Sequence, residues 1–382
     1  MHREKGLLNV SARHVPLPPG STIGILGAGQ LGRMLALAAA RLGLKAHIFA
    51  DESGPAFDVA AATSVGMYRD RSALDRFARH VDVVTYEFEN VPVDAAAHLA
   101  ELRPVRPGPN ALSTAQDRLA EKHFLAGLDI QVAEFAAIDG PEDLARALDR
   151  NSAPSILKTR RLGYDGKGQV NLRPGADVAA AWTSIGAQPA VLEQPVAFAY
   201  EVSVLVVRGL DGELAYYDIP VNTHENGILR SSRVPSDLPK IETRHAQEIA
   251  TKIAEALDYV GVLAVEMFYL GQGPGDRLLV NEIAPRVHNS GHWTIDACVV
   301  SQFENHIRAI AGWPLGSTER HSDAEMVNLI GKDAQEWVNH AAEPLTCIHL
   351  YGKREARVGR KMGHITRLRA VSPATPKSLT PI

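Results

Sequence analysis

The chain has 382 residues, of which 45% are hydrophobic and 22% charged; 40 basic against 44 acidic side chains leave a formal net charge of −4. That balance excludes a disordered or fibrous chain and advertises neither nucleic acid nor a membrane surface as a partner. Two cysteines, Cys298 and Cys347, are too few for a disulfide framework and suit a reducing compartment.

Residues 1–20 read as a loose arm ending in Val15-Pro-Leu-Pro-Pro-Gly20. The arm has no continuous apolar core, so it does not read as a signal peptide. The apolar run from Met34 to Leu44 is interrupted by Arg41 and falls short of the roughly 20 residues that cross a bilayer, so a cytoplasmic protein is expected. Thr22–Leu26, Lys45–Phe49 and Val81–Tyr86 read as strands and Leu31–Leu42 as a helix, which predicts βαβ units and a parallel sheet. Arg103–Asn110, with three prolines and a glycine, is a joint. Ser113-Thr-Ala-Gln116 fits a capping box, with a helix running to about Ala126. A second unit follows, with strands at Ser155–Lys158 and Ala190–Glu193 and a hairpin of Glu201–Val207 and Leu214–Ile219. A helix over Arg244–Leu257 precedes strands Gly261–Leu270 and Arg277–Ile283. From Gly316 short strands alternate with turns, and the last twelve residues, with three prolines, read as a frayed end.

Two glycine clusters invite phosphate. Gly27-Ala-Gly-Gln-Leu-Gly32 matches G-x-G-x-x-G between a strand and a helix, with Asp51 near the position of a ribose-binding acid. This turn could hold a nicotinamide dinucleotide, hold another phosphate, or simply pack tightly. Arg160-Arg-Leu-Gly-Tyr-Asp-Gly-Lys-Gly-Gln169 follows Lys158 and reads as a mobile flap over polyphosphate, with Lys158 and Lys167 offsetting its charge; it is not a Walker A loop.

Glu266 and Glu282 lie on the two arms of a hairpin that turns over Gly271–Asp276. If the turn centres near Pro274 they stand opposite each other on one face, where two carboxylates repel unless a hard cation such as magnesium joins them. The alternative is that one of them simply pairs with Arg286 or another cation. Ala284-Pro-Arg-Val-His-Asn-Ser-Gly-His-Trp-Thr294 reads as a donor-rich loop suited to a small anion; His288 and His292 are spaced i, i+4, but the intervening residues oppose a helical zinc pair.

These motifs, in this order with Glu193-Gln194, Asn281-Glu-Ile-Ala-Pro-Arg286, Lys353 and Gly359-Arg-Lys-Met-Gly-His364, resemble the N5-carboxyaminoimidazole ribonucleotide synthetases, ATP-grasp enzymes of purine biosynthesis. The resemblance spans about residues 21–370. It implies an α/β ATP-grasp fold with a Rossmann-like pre-grasp domain (21–125), a two-lobed grasp domain jointed near 193–197 (126–315) and a small mostly-β C-terminal domain (316–382). It implies ATP contacts from Arg118, Lys158, the loop Gly163, Tyr164, Asp165, Gly166, Lys167, Gly168 and Gln169, then Glu193, Gln194, Val196, Glu201, His224, Asn281 and Glu282. Magnesium would sit on Glu266 and Glu282. The ribonucleotide would meet Gln30, Leu31, Glu87, Tyr164, Asp165, Asn289, Lys353, Arg360 and Lys361, and no NAD would bind. Arg286, His288 and Lys353 would be the catalytic residues, Arg286 and His288 at the bicarbonate and carboxyphosphate region. The resemblance also implies a homodimer, and a reaction in which ATP activates bicarbonate as carboxyphosphate for attack by the amine of 5-aminoimidazole ribonucleotide. The other classes are a formate-dependent glycinamide ribonucleotide transformylase, a nicotinamide oxidoreductase and a non-catalytic ATP-binding regulator; Lys158, Glu266, Glu282 and Arg286 speak against the last.

Overall fold

The structure, a computed structural model, describes residues 15–150, 154–163 and 166–371. Strands β1 (Thr22–Leu26), β2 (Lys45–Ala50), β3 (Ala62–Val65) and β4 (Val83–Tyr86) form a parallel sheet in the order β3-β2-β1-β4. The run of buried residues in β1 and β4 is what a strand covered on both faces requires. β3 escaped the sequence reading because its short, largely exposed segment lacks the apolar signal.

The helix expected from Ser113 is two helices, Pro109–Ala115 and Arg118–Gly127. Pro109 takes a first-turn position in one. Asp117 caps the other, accepting from the amides of Leu119 and Ala120. A cap side chain two residues past the first helix displaced the capping box read at Ser113.

A second sheet, in the order β5-β8-β6-β7, is antiparallel and comprises β5 (Phe135–Ile138), β6 (Ser155–Thr159), β7 (Gln169–Leu172) and β8 (Ala190–Glu193). It has its own core around Ile138, Leu144, Leu157 and Ala190. The third sheet contains β9 (Tyr200–Arg208), β10 (Leu214–Tyr216), β11 (Val221–Glu225), β12 (Ile228–Val234), β13 (Gly261–Tyr269), β14 (Leu278–Ala284), β15 (Asp323–Ile330), β16 (Thr346–Leu350) and β17 (Lys361–Arg369). Its order is β14-β13-β9-β11-β12-β15-β17-β16, with β10 also on β9. The strands after residue 316 therefore extend the central sheet through the β12–β15 pairing.

Helix Lys240–Ala256 covers one face of this sheet and helix Gln302–Ala311 the other. The second helix also packs on helix Gln30–Arg41, so one core runs from Ile23 and Leu35 to Val207, Ile307 and Met326. Polar ties reinforce the joint: His306 Nε2 lies 2.8 Å from Thr85 Oγ1, and Arg106 Nη1 donates to the Ile310 carbonyl at 2.6 Å. Within the stretch read as an arm, the Leu17 amide donates to the Ala311 carbonyl at 2.9 Å.

Candidate active site

The parallel sheet ends at the first glycine turn, and that turn is already filled by a carboxylate. Glu87, just beyond β4, accepts hydrogen bonds from the amides of Gly29 and Gly32 at the start of helix Gln30–Arg41. A Cβ on Gly29 would stand 2.6 Å from Glu87 Oε1, and one on Gly27 2.5 Å from its Cγ. The glycines thus make room for Glu87, which occupies the amides a dinucleotide phosphate would need. Burial pushes the Glu87 carboxyl above its ordinary range, against the pull of the two amides and the charges of Arg286 and Lys353.

On the hairpin, Glu266 and Glu282 are register partners. The register carries a detail invisible in the spacing: Met267 pairs with Val280 while Glu266 pairs with Glu282, so the strand bulges at Asn281. Without that extra residue the pairing would slip by one and Glu282 would lose its place opposite Glu266. Each carboxylate also has a basic partner: Arg118 Nη1 lies 2.9 Å from Glu282 Oε2, and His288 Nε2 lies 2.9 Å from Glu266 Oε1. Burial pushes the Glu266 carboxyl up, but the charge and hydrogen bond of His288, with His224 behind them, bring it down to about 2. An oxygen-only pair of this kind suits a hard divalent cation.

One cavity of about 330 Å³ collects Gln30, Leu31, Glu87, Gly163, His224, Glu266, Glu282, Arg286, His288, Asn289 and Lys361. Both amide atoms of Asn289 are buried with no partner among the described residues. Such atoms in a cavity wall are ready to meet a polar ligand. His288 caps the 3-10 turn Asn289–Gly291, its Nδ1 lying 2.8 Å from Ser290 Oγ, so the donor-rich segment is a turn, as its glycine and proline suggested. His224 Nδ1 lies 2.9 Å from Glu201 Oε2. Burial alone would lower His224, yet Glu201, Glu266 and Glu282 raise it.

The remaining expected nucleotide contacts gather around the small sheet. Lys158 on β6 donates to Glu193 on β8 at 2.8 Å. Gln194 follows β8 beside a separate outer cleft, and Val196 is half-buried. Gly166 and Gly168 have φ of +76° and +72°, and a Cβ on Gly168 would stand 2.6 Å from Thr159 Oγ1. The exposed loop through Lys167 and Gln169 lies beside the turn at Asn226 and Gly227. Tyr164 and Asp165 lie outside the described residues. Lys353 and Arg360 line a neighbouring cleft of about 310 Å³ with Gly54 and Asp58, rather than the first cavity. Lys353 Nζ donates to the Lys361 carbonyl at 2.7 Å, which ties the two clefts together.

Three site residues escaped the sequence reading. Glu89 pairs with Arg286, and although burial opposes it, that guanidinium holds the Glu89 carboxyl at about 2. Lys122, 1% exposed, lies 3.3 Å from Glu193 Oε1, across that carboxylate from Lys158. Glu121 accepts from the Ile283 amide at 2.6 Å and is pushed up to about 8 by burial and by the Glu282 charge. The one available signal was Glu121-Lys122 on the buried stripe of a helix, where charged residues are uncommon.

Family models match three consecutive stretches: the ribonucleotide synthetase preATP-grasp domain at residues 21–116, the ATP-grasp domain at 123–303, and the phosphoribosylaminoimidazole carboxylase C-terminal domain at 324–374. The N5-carboxyaminoimidazole ribonucleotide synthase of Brucella melitensis is 51% identical over 356 residues, covering 92% of this chain and 98% of that protein. An ADP complex of an N5-carboxyaminoimidazole ribonucleotide synthetase superposes with a TM-score of 0.88 at 41% identity, covering 93% and 94% of the two chains. The synthase of Aspergillus clavatus, solved with ADP and 5-aminoimidazole ribonucleotide, gives a TM-score of 0.84 at 32% identity over 92% and 94%. With these likenesses running through all three sheets and the cavity between them, the chain belongs to the N5-carboxyaminoimidazole ribonucleotide synthases, a family of ATP-grasp ligases.

Proposed function

We propose that this chain carboxylates 5-aminoimidazole ribonucleotide with bicarbonate at the expense of ATP, giving N5-carboxyaminoimidazole ribonucleotide, ADP and phosphate. The observation that carries the reading is the single cavity that holds the opposed pair Glu266 and Glu282, the basic side chains Arg286 and His288, and Glu87 in the glycine turn. ATP would lie between Lys158 on the small lobe and the central sheet, near Lys122 on helix Arg118–Gly127, with Glu201 and His224 toward its ribose and the loop 163–169 over its phosphates. Magnesium would be held by Glu266 and Glu282, with Asn281 alongside; when bound it neutralises charge on the phosphates.

Bicarbonate is a poor electrophile, and phosphorylating one of its oxygens supplies a leaving group. Arg286 and His288 face the cavity where that anion would sit, and Glu89 fixes the guanidinium so that its remaining donors stay aimed. The carboxyphosphate releases carbon dioxide beside the exocyclic amine, which attacks it. Glu87, held by two amides, would orient that amine, while Asn289 and Lys361 hold the base and ribose, and Lys353 and Arg360 take the 5′-phosphate from the adjoining cleft. Closing the glycine loop keeps water from the short-lived intermediate. The reading extends to a homodimer, which rests on the resemblance, and to the cytoplasm, which rests on the sequence reading.

The test is ADP release. It is expected with ATP, magnesium, bicarbonate and 5-aminoimidazole ribonucleotide together, and not when glycinamide ribonucleotide with formate replaces the last two. Release in the second mixture but not the first would assign the chain to the sibling reaction.

A further inference from the structure

Behind the cavity, on one face of the C-terminal end of the central sheet, a second group of chemically competent side chains converges. His349 on β16 stands opposite His364 on β17, and two residues along the same face Cys347 stands opposite Thr366. Asp296, from the short helix Thr294–Ala297, reaches this face: its two carboxylate oxygens lie 3.1 and 2.9 Å from His349 Nε2. His364 is fully buried, and its Nδ1 is committed to the Tyr351 hydroxyl at 2.8 Å. Its other nitrogen, Nε2, has no partner among the described residues, and neither has the buried Thr366 Oγ1 beside it. Orphaned buried polar atoms are uncommon, and two on one face call for an occupant.

We propose that Asp296, His349 and His364 form a binding site for a divalent transition metal of the zinc class, with a fourth position left to water. Their ligand atoms lie within 4.8 Å of one another. Around bound zinc, with bonds of about 2.0–2.1 Å, tetrahedral ligands stand about 3.3 Å apart, so the site must contract by an ångström or so. His349 can supply that movement, turning out of its stack on His364 (4.4 Å between ring centres) while keeping Asp296, so that both lone pairs converge: it sits on an edge strand and its side chain is 27% exposed. The set of two imidazoles and one carboxylate favours zinc or cobalt over magnesium. Tyr351 fixes the His364 ring, the outer support that a metal-ligating histidine needs. Binding replaces the proton shared between His349 and Asp296.

Cobalt(II) titrated into the full-length chain is expected to give one site with the intense visible absorption of a four-coordinate ion, displaced by stoichiometric zinc. His349→Asn and Asp296→Asn should each weaken that site at least about tenfold, while Glu266→Gln leaves it intact. Asp296→Asn keeps both volume and polarity and His349→Asn keeps polarity, and circular dichroism checks that both variants fold; Asp296→Asn stands alone if His349→Asn does not. The proposal is overturned by the absence of saturable absorption, by the weak spectrum of an octahedral ion, by a site that survives Asp296→Asn, or by one that vanishes with Glu266→Gln. Each of those results means that water fills this face or that the metal sits on the catalytic carboxylates.

Discussion

Glu87 decides what the first glycine turn can bind. A dinucleotide phosphate needs the amides of Gly29 and Gly32, and both already donate to the Glu87 carboxylate. A second anion would meet that charge as well as its volume. Saturable NADH binding is therefore not expected, and fluorescence titration checks it; a micromolar site would contradict the placement. The glycines also have a testable steric role. In Gly29→Ala the new Cβ would stand 2.6 Å from Glu87 Oε1, and the buried carboxylate has little room to retreat. The Michaelis constant for the ribonucleotide should rise about tenfold or more, the loss of one charge-assisted contact, while that for ATP stays nearly unchanged. Steady-state kinetics in both substrates read the split, and equal losses would show that Glu87 serves the nucleotide instead.

The hairpin of β13 and β14 is the element on which the chemistry turns. Arg118 pairs with Glu282 in a half-exposed geometry worth about 1 kcal/mol or less. Neutralising Glu282 gives up that pair but relieves its repulsion of Glu266 and Glu121. Glu282→Gln should thus move the melting temperature by only a few degrees, while turnover falls by orders of magnitude because phosphoryl transfer depends on charge neutralisation at the phosphates. An early melt with near-normal turnover would leave Glu282 as a mere partner of Arg118. Facing glutamates were legible because strand alternation and a turn centred near Pro274 put them on one face. The bulge at Asn281 that preserves the pairing was not, since nothing in the composition of Leu278–Ala284 marks an extra residue. Nor was Glu89, whose partner Arg286 lies 197 residues away. Periodicity reports which face a residue takes, not which distant charge meets it there. Asp117 was missed differently: two polar residues near one helix start competed as caps, and the one that also binds Arg160 prevailed.

At the scale of the whole molecule, two joints differ in strength. The first sheet is welded to the central one by a shared apolar core and by His306, whose Nδ1 accepts from the Val262 amide at 3.1 Å while Nε2 meets Thr85. Burial lowers His306 to about 3, below the ordinary value near 6.5. Between those values the unfolded chain holds the extra proton, so this residue's contribution to stability is full above pH 6.5 and is lost at about 1.4 kcal/mol per unit as pH falls toward 3. Denaturation of His306→Gln between pH 7 and 5 should show a slope shallower than the parent's by up to one proton; parallel curves would mean that His306 is not held neutral. The small lobe is joined more lightly. Among the described residues its four-stranded sheet pairs with no strand of the other two sheets, and its core has eight buried apolar side chains. Its ties to the rest include the Arg118 amide to the Arg160 carbonyl at 2.9 Å, Arg160 to Asp117, and the pair Lys122–Glu193. A unit with few cross-links and a small core opens at lower free energy than the body it sits on. Amides of β6 and β8 should therefore exchange with solvent faster than those of β9 and β13. Adding ATP and magnesium, which would bridge Lys158 to Glu282 across the gap, should slow the small lobe selectively. Equal protection in both sheets before ATP is added would make the two lobes one rigid body and remove the hinge from the mechanism.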